Sequence, residues 1–215
     1  MSLNNQKSFL LVITIAVCMV IILYVFFILF NKIDKLSNSN EQLEHMIDLK
    51  DGKIKAMITK NIFQYANEGI KLDPQIKIKT DTTEISLKKI IDEKKTSSTV
   101  VLRYSEMHCK SCVDDQVKFL KILSQKISSE NIIILANYRH RKDLTIFKRM
   151  NQLSDINIYQ VDSLNITIED LGVPYVFILE NMRVQSIFIP DNEFPELSEN
   201  YYDIILSRFF NSSLE

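Results

Sequence analysis

The first apolar segment of the chain is much longer than any other. Residues 9–30, FLLVITIAVCMVIILYVFFILF, carry no charged side chain. A helix of this length, at about 1.5 Å per residue, spans the roughly 30 Å hydrocarbon core of a membrane. A cleavable signal peptide has an apolar region of only about 7–15 residues. We therefore expect a retained transmembrane anchor at 9–30, preceded by a short tail at 1–8.

The segment that follows, residues 31–75, has a broken helical pattern that stops at the proline of LDPQ. One heptad series contains Ile33, Asn40, Ile47 and Ile54, and the other contains Leu36, Leu43, Lys50 and Met57. Each series includes a polar residue, so the pattern favours a helical linker that acts as an amphipathic spacer. A stalk that pairs with a second copy into a weak homodimer is the alternative.

Short apolar runs alternate with helical patterns through residues 76–215, which we expect to form the folded domain. Strands are predicted at QIKIKT, STVVLRYS, NIIILANY, INIYQVD, VPYVFIL and RVQSIFI. A short turn and helix are predicted at EISLKKIIDE, and helices at 112–127, 142–153 and 195–210. The last two strands form a hairpin, with Asn181 in the turn. This order predicts an α/β fold, a mixed sheet with helices on both faces.

The apolar positions of these helices predict which residues face the sheet. The predicted core-facing residues are Val113, Val117, Leu120 and Ile127 in the first long helix, Leu144, Phe147 and Met150 in the second, and Leu197, Tyr201, Ile204 and Phe209 in the last. Each set recurs at intervals of three or four residues, the spacing of one helical face.

Composition and charge exclude little beyond nucleic-acid binding. The chain has 215 residues, a formal net charge of -1 and a pI near 6.3. No net field attracts nucleic acid, and no stretch interleaves dense basic residues with aromatic ones. Lys7 precedes the apolar segment and Lys32 follows it, so the positive-inside rule does not decide its orientation.

Two cysteines, Cys109 and Cys112, lie in EMHCKSC directly after a predicted buried strand. The helix that begins there turns its unpaired N–H groups toward the first sulfur and favours the thiolate, which is the nucleophile. The second cysteine lies one turn on, close enough to attack a mixed disulfide. His108 and Lys110 are expected to add positive charge and to lower the thiol pKa further. This placement suits reversible disulfide chemistry.

Other interpretations of the pair remain open. A structural zinc site usually needs four ligands, and the chain has no second C-x-x-C, so no metal is expected. A plain structural disulfide, or a module that kept its cysteines without turnover, is an alternative.

The arrangement resembles the thioredoxin superfamily, and most closely its membrane-tethered, TlpA-like branch. The segments that carry the resemblance are TTEISLKKIID, TVVLRYSEMHCKSC and LGVPYVFIL, and it covers roughly residues 76–210. It implies that Cys109 is the attacking thiol and Cys112 the resolving thiol. It also implies that Pro174 is a cis proline against the disulfide, with the backbone of Val173 free to pair with a partner segment.

The sequence departs from that family at two positions. His108 stands where the family usually has Trp, and Arg103 stands where thioredoxins carry a buried acid. Glu106 is a candidate to take over proton transfer. Losing an acid and gaining cations is expected to stabilise the thiolate and to make the disulfide more oxidising than that of a thioredoxin.

The resemblance implies a membrane-anchored thiol-disulfide oxidoreductase that exchanges disulfides with protein thiols and needs no cofactor beyond its cysteines. The domain is expected on the extracytoplasmic side of a single-pass protein of the inner membrane, because disulfides persist in compartments such as the bacterial periplasm. The alternative is a catalytically inactive thioredoxin-like module that binds a partner protein.

Overall fold

The structure is a computed structural model that describes residues 3–80, 83–94 and 97–210, with side chains in the first helix described at 13, at 15 and from 17 onward. The chain divides into two compact units, Met1–Met57 and Ile58–Glu215. The domain boundary that the sequence predicts, at residue 76, stays a prediction.

Helix α1, Leu3–Asn67, accounts for all the described residues of the first unit. Between Val17 and Asn67 it contains an 18-residue stretch with a mean hydropathy of 2.2, none of it buried. By length and composition this helix can cross a membrane, which agrees with the predicted anchor. Residues 1–2 of the predicted tail, and the side chains at 9–12, 14 and 16, lie outside the described residues.

A seven-stranded sheet forms the centre of the second unit, as far as the chain is described. The strands are β1 Lys77–Lys79, β2 Glu84–Ser86, β3 Ser98–Ser105, β4 Ile132–Asn137, β5 Asn157–Gln160, β6 Tyr175–Glu180 and β7 Arg183–Phe188. They lie in the order β2-β1-β5-β4-β3-β6-β7. Strands β3, β4 and β5 are parallel, whereas β6 runs antiparallel to β3 and β7 antiparallel to β6.

Helices cover both faces of this sheet. They are α2 Leu87–Asp92, α3 Lys110–Lys126, α4 Arg141–Met150 and α5 Pro195–Ile205, which continues as a π-helical turn over Leu206–Phe210. Side chains of α3, α4 and α5 pack on one face. Those of α2, the 58–67 part of α1 and a 3-10 turn at Thr167–Leu171 pack on the other. Two parallel β-α-β units followed by an antiparallel hairpin and a final helix confirm the predicted thioredoxin-like α/β fold.

The hairpin between β6 and β7 turns where the sequence predicts. Asn181 and Met182 have φ of 50° and 63°, the left-handed pair of a tight hairpin turn. Strand β2 differs from the prediction, because its residues lie at the start of EISLKKIIDE, the segment predicted as a short turn and helix. Ser86 explains the difference, because its hydroxyl accepts the Lys89 N–H and caps α2, so the helix begins only at Leu87.

Two predicted helix faces are partly wrong. In α5, Leu197 and Ile204 are 41% and 52% exposed, whereas Ser198, Tyr202 and Ile205 are buried. The buried face includes a serine that a pattern of apolar residues cannot reveal. In α4, Met150 is 71% exposed, while Leu144 and Phe147 pack against the core as predicted. The predicted apolar face of α3 is confirmed, with Ile127 at its margin.

Candidate functional site

The cysteine pair lies where β3 passes into α3. Cys109 is the N-cap of α3, and the two sulfurs form a disulfide with a Cα–Cα distance of 5.3 Å. Cys109 is exposed and Cys112 is partly buried. The fold also brings the carboxyl end of β4 and the residues before β6 to this edge, because β4 is parallel to β3 and β6 antiparallel.

Three hydrogen-bond donors converge on the Cys109 sulfur. The Cys112 N–H lies 3.4 Å from it, the Ser111 hydroxyl 3.2 Å and the Asn192 Nδ2 3.7 Å. A disulfide sulfur has no proton, so the Ser111 hydroxyl must be the donor in its contact. Asn192 Nδ2 also donates to Ser111 Oγ at 3.0 Å. No donor among the described residues contacts the Cys112 sulfur, so the surroundings favour a thiolate at Cys109.

His108 does not supply the positive charge that the sequence analysis expects. Its Nδ1 accepts the Ser105 N–H at 3.2 Å. Burial lowers the pKa of His108 to about 4, with a further lowering from Arg103 and an opposite effect from Glu169. The imidazole is therefore neutral at pH 7, with the proton on Nε2. His108 fixes the turn before Cys109 as a hydrogen-bond acceptor, and the expectation of a cation here is wrong.

Arg103 is buried, with 5% of its side chain exposed, and forms an ion pair with Glu169 in which Nη2 and Oε1 are 2.7 Å apart. Its Nε donates to the same oxygen at 2.8 Å. The remaining N–H groups point at backbone carbonyls of Tyr104, Val161 and Asp162 at 3.0–3.4 Å. A guanidinium has five N–H donors, and these contacts use all five.

Glu169 is held as firmly as Arg103. Its second oxygen accepts hydrogen bonds from the Ser163 hydroxyl and, at 2.9 Å, from the Leu164 N–H. The ion pair is neutral as a unit. The expected gain of a free cation at Arg103 is therefore corrected: its charge is balanced by the Glu169 carboxylate, which lies in the turn before β6.

Pro174 is buried and directly precedes β6, whose first residue, Tyr175, lies opposite Arg103 in β3. This places it at the same edge of the sheet as the cysteine pair. The described residues contain no cis peptide bond, so the expectation of a cis Pro174 is wrong. Trans is the lower-energy isomer of an X–Pro bond by about 0.5–1 kcal/mol. Val173 is partly buried against the core, and its proposed role in pairing with a partner stays a prediction.

Glu106 is exposed on the loop between β3 and α3, where its N–H donates to the Asn137 carbonyl at 2.8 Å. Its carboxylate makes no hydrogen bond or ion pair within the described part of the chain. A role in proton transfer stays a prediction. The next residue, Met107, is 82% exposed, so an apolar side chain lies on the surface two residues before Cys109.

Sequence reasoning missed three residues of this region, Glu169, Ser111 and Asn192. A signal existed for the first: Arg103 lies inside the apolar strand STVVLRYS, and a buried charge requires a partner. Ser111 lies between the cysteines but has no distinguishing pattern. Asn192 is 80 residues beyond Cys112 and only the fold brings it to the sulfur.

Among the described residues, no group of three or more His, Cys, Asp or Glu side chains could hold a metal ion. The third cysteine, Cys18, is free and exposed in α1.

No family model matches the chain, and no curated protein matches it. Solved structures that it resembles include the thioredoxin domain of a thiol-disulfide oxidoreductase from Bacteroides vulgatus, at 12% identity and a TM-score of 0.44, covering 63% of this chain and 97% of that one. A thiol:disulfide interchange protein from Bacteroides sp. has 12% identity and a TM-score of 0.45, and the match covers 63% of this chain and 90% of that one. PrxQ from Xylella fastidiosa has 12% identity and a TM-score of 0.45, and the match covers 66% of this chain and 96% of that one. The fold assignment rests on the strand order described above, and the chemistry rests on the residues of the site.

Proposed function

We propose that this protein is a membrane-anchored thiol-disulfide oxidoreductase that exchanges disulfides with protein partners through Cys109 and Cys112. The observation that supports the proposal is that the two sulfurs differ in exposure and in the number of hydrogen-bond donors around them. Cys109 is exposed at the start of α3 and receives three hydrogen-bond donors, whereas Cys112 is partly buried and receives none from the described residues. A structural disulfide needs no such asymmetry.

The asymmetry assigns a role to each cysteine. Cys109, reachable from solvent and stabilised as a thiolate, is the thiol that attacks a partner or is attacked by one. Cys112, one helical turn away, resolves the mixed disulfide by attacking the Cys109 sulfur. Pro174 and Val173, at the same edge of the sheet, are proposed to accept the partner's extended backbone.

The proposed partners are protein thiols and disulfides, because Cys109 is exposed and the apolar side chain of Met107, two residues before it, is exposed as well. Residues 9–30 are proposed as the anchor in the inner membrane, with the C-terminal domain on the extracytoplasmic side, where disulfides persist. No nucleic acid is proposed as a partner. A weak homodimer through residues 31–75 is a further proposal.

Trapping tests the exchange reaction. In the full chain with Cys18→Ser, the change Cys112→Ser removes the resolving thiol, so a partner attacked by Cys109 stays bound through a disulfide. We expect partner adducts on non-reducing gels that dithiothreitol releases. The matched control carries Cys109→Ser with Cys112 retained and should give far fewer adducts. Equal trapping by both variants would contradict the assigned roles, and no adduct from either, with slow alkylation of Cys109 at neutral pH, would favour a module without turnover.

The reduction potential provides a second test. Donors on the Cys109 sulfur stabilise the reduced state, so we expect the potential of the pair to lie above that of a thioredoxin, about -270 mV. Equilibration of the full chain with glutathione buffers measures it. A value at or below that of thioredoxin would contradict a stabilised thiolate.

Topology is tested with a membrane-impermeant maleimide on intact cells whose outer membrane has been permeabilised. After reduction, Cys109 in the Cys18→Ser background should be labelled without lysis if the domain is extracytoplasmic. Labelling only after lysis would place it in the cytoplasm.

A further inference from the structure

We propose that Asn192 is a catalytic residue that donates a hydrogen bond to the Cys109 sulfur, and that Lys60 positions it through Asp191. The inference rests on the proposed disulfide exchange. Asn192 belongs to the loop between β7 and α5, outside the C-x-x-C motif. Its amide reaches both the sulfur, at 3.7 Å, and the Ser111 hydroxyl, at 3.0 Å.

The loop that carries Asn192 has a defined turn. Asp191 Oδ1 accepts the Glu193 N–H at 3.0 Å, and its backbone carbonyl accepts the Phe194 N–H at 3.2 Å. Asp191 Oδ2 accepts the Lys60 ammonium at 2.7 Å, and these two side chains are 33% and 28% exposed. Asp191 thus joins the turn to residues 58–67 of α1, which belong to the same unit. Asn192 follows directly, so the ion pair limits where its amide can point.

The end of β7 is held by Gln64, in the same part of α1, and by Glu68, which directly follows this helix. Glu68 accepts the N–H groups of Ser186 and Ile187 at 2.7 and 3.2 Å, and Gln64 Nε2 donates to the Ile187 carbonyl at 2.9 Å. Ser186 has a φ of 50° near an irregularity in the β6–β7 register. Lys60, Gln64 and Glu68 are spaced four residues apart, so one side of the segment contacts both β7 and the loop after it.

The other side of the loop is tied to the helix that carries the cysteines. Gln116 of α3 donates to the Ser198 hydroxyl at 3.1 Å and accepts from the Tyr202 hydroxyl at 3.0 Å. These three polar residues are buried. The beginning of α5 is therefore fixed against α3, and the loop that precedes α5 is held at both ends beside the Cys109 sulfur.

The amide acts wherever negative charge develops on that sulfur. In one direction of exchange, the Cys109 thiolate attacks a partner disulfide: a bond to one partner sulfur forms, the partner disulfide breaks, and the other sulfur leaves with the electron pair and takes a proton from water. The Cys112 thiolate then attacks Cys109, which restores the internal disulfide and releases the first partner sulfur as a thiolate. The two cysteines are oxidised and the partner disulfide is reduced. The reverse sequence uses the same bonds, with Cys109 as the leaving thiolate. Asn192 stabilises that thiolate in either direction.

The pH dependence of alkylation tests this role. The full chain with Cys18→Ser is reduced, kept in detergent micelles and treated with iodoacetamide at pH 4–9, and mass spectrometry measures modification at Cys109. With Asn192→Ala the pH midpoint should rise, and alkylation below the midpoint should slow by about threefold to tenfold, as expected for loss of one hydrogen bond of ordinary strength. Well above the midpoint, the two chains should react at similar rates.

Two further variants separate a direct contact from positioning. Asn192→Asp keeps the shape but brings a carboxylate to the sulfur, so it should raise the midpoint more than Asn192→Ala does. Lys60→Ala should move the midpoint in the same direction by a smaller amount, and Lys60→Arg should restore it. Asn200→Ala, an exposed asparagine of α5, is the matched control and should leave the midpoint unchanged.

The outcomes distinguish this inference from the proposed function. If the parent chain exchanges with glutathione and traps partners while Asn192→Ala leaves the midpoint unchanged, the role of Asn192 is overturned and the exchange reaction stands. If the parent chain neither exchanges nor traps, the proposed function fails. Thermal unfolding of each variant is followed in parallel, because the loop residue Asn192 is exposed and its loss should leave the melting temperature unchanged.

Discussion

Two polar centres lie at the same end of the sheet, and they differ in what their hydrogen bonds achieve. Arg103 is buried in β3, and its donors end on Glu169 and on backbone carbonyls of the core. Cys109 is exposed at the start of α3, and donors from three different residues end on its sulfur. His108 lies between them in sequence, beside Cys109 and under the electrostatic influence of Arg103.

A charge near a cysteine pair need not act on it. Arg103 is a full positive charge, yet its partner and acceptors use its donors, so its main effect is on the stability of the domain. The groups that contact Cys109 are an amide, a hydroxyl and a backbone N–H, none of which is charged. We therefore expect substitutions in the first centre to change mainly the free energy of unfolding, and those in the second to change mainly the reactivity of the thiol.

The largest effect is expected from Arg103→Leu. The change leaves the Glu169 carboxylate, whose side chain is 18% exposed, without its cation and removes the Arg103 donors from three backbone carbonyls. Breaking a buried ion pair from one side costs about 3–5 kcal/mol. Urea unfolding of the full chain in detergent, followed by the near-ultraviolet signal of the domain's tyrosines, measures the difference.

An exposed ion pair of the same unit serves as the control. Lys79 and Asp162 are 3.1 Å apart, with side chains 46% and 73% exposed. Lys79→Ala should cost no more than about 1 kcal/mol. Adding Glu169→Leu to Arg103→Leu should recover part of the loss, because no unpaired carboxylate remains. If Arg103→Leu were as mild as Lys79→Ala, Arg103 would not be a structural centre.

His108 connects the two centres and gives an effect of intermediate size. Its pKa is about 4 in the folded domain and near 6.5 when unfolded, so the unfolded chain binds more protons between these values. Stability from this group is complete above pH 6.5 and falls as the pH is lowered toward 4. Partial exposure limits the loss to roughly 1–2 kcal/mol.

His108→Asn tests this dependence, because an asparagine oxygen can accept the Ser105 N–H but does not titrate. Unfolding of the full chain at pH 4, 5, 6 and 7 should give a flatter profile for the variant than for the parent, with the two converging in slope above pH 6.5. His140→Asn, at the N-cap of α4, is the matched histidine control. An unchanged slope in His108→Asn would mean that the pKa of His108 does not differ between the folded and unfolded chain.

Much of the fold could be predicted because apolar patterning determines it. Strand β3 extends from Ser98 to Ser105 as the sequence predicts, and the first of the two left-handed residues of the hairpin is the predicted turn residue, Asn181. The face of α5 could not be predicted in the same way. Its buried side includes Ser198, which is satisfied by Gln116 from another helix, and hydropathy along one helix contains no information about such a partner.

The residues of the site also differ in whether the sequence could predict them. The cysteine pair and the strand before it were predictable because they are contiguous in sequence. The environment of Cys109 was not, because Asn192 reaches the sulfur from the loop after β7. The partner of Arg103 was not predictable either, because Glu169 reaches it from the turn before β6. Charges counted in sequence also misled the prediction for His108, since burial removes its proton.

The smallest effect is expected at Ser111, and it sharpens the contrast most directly. Ser111→Ala removes one donor from the Cys109 sulfur and the acceptor that Asn192 uses at 3.0 Å, but the serine is exposed in the first turn of α3. Alanine also has the higher helix propensity, so the free energy of unfolding should change by less than about 0.5 kcal/mol. Alkylation of Cys109 below its pH midpoint should nevertheless slow, by about twofold, because the remaining backbone and amide donors retain most of the stabilisation.

Ser124→Ala changes a partly buried serine of the same helix, whose hydroxyl donates to the Lys121 carbonyl, and is the control; it should leave the alkylation rate unchanged. A stability loss in Ser111→Ala comparable to that in Arg103→Leu would mean that both centres stabilise the domain. Slower alkylation at unchanged stability would mean that the centre at Cys109 acts on the reactivity of the thiol.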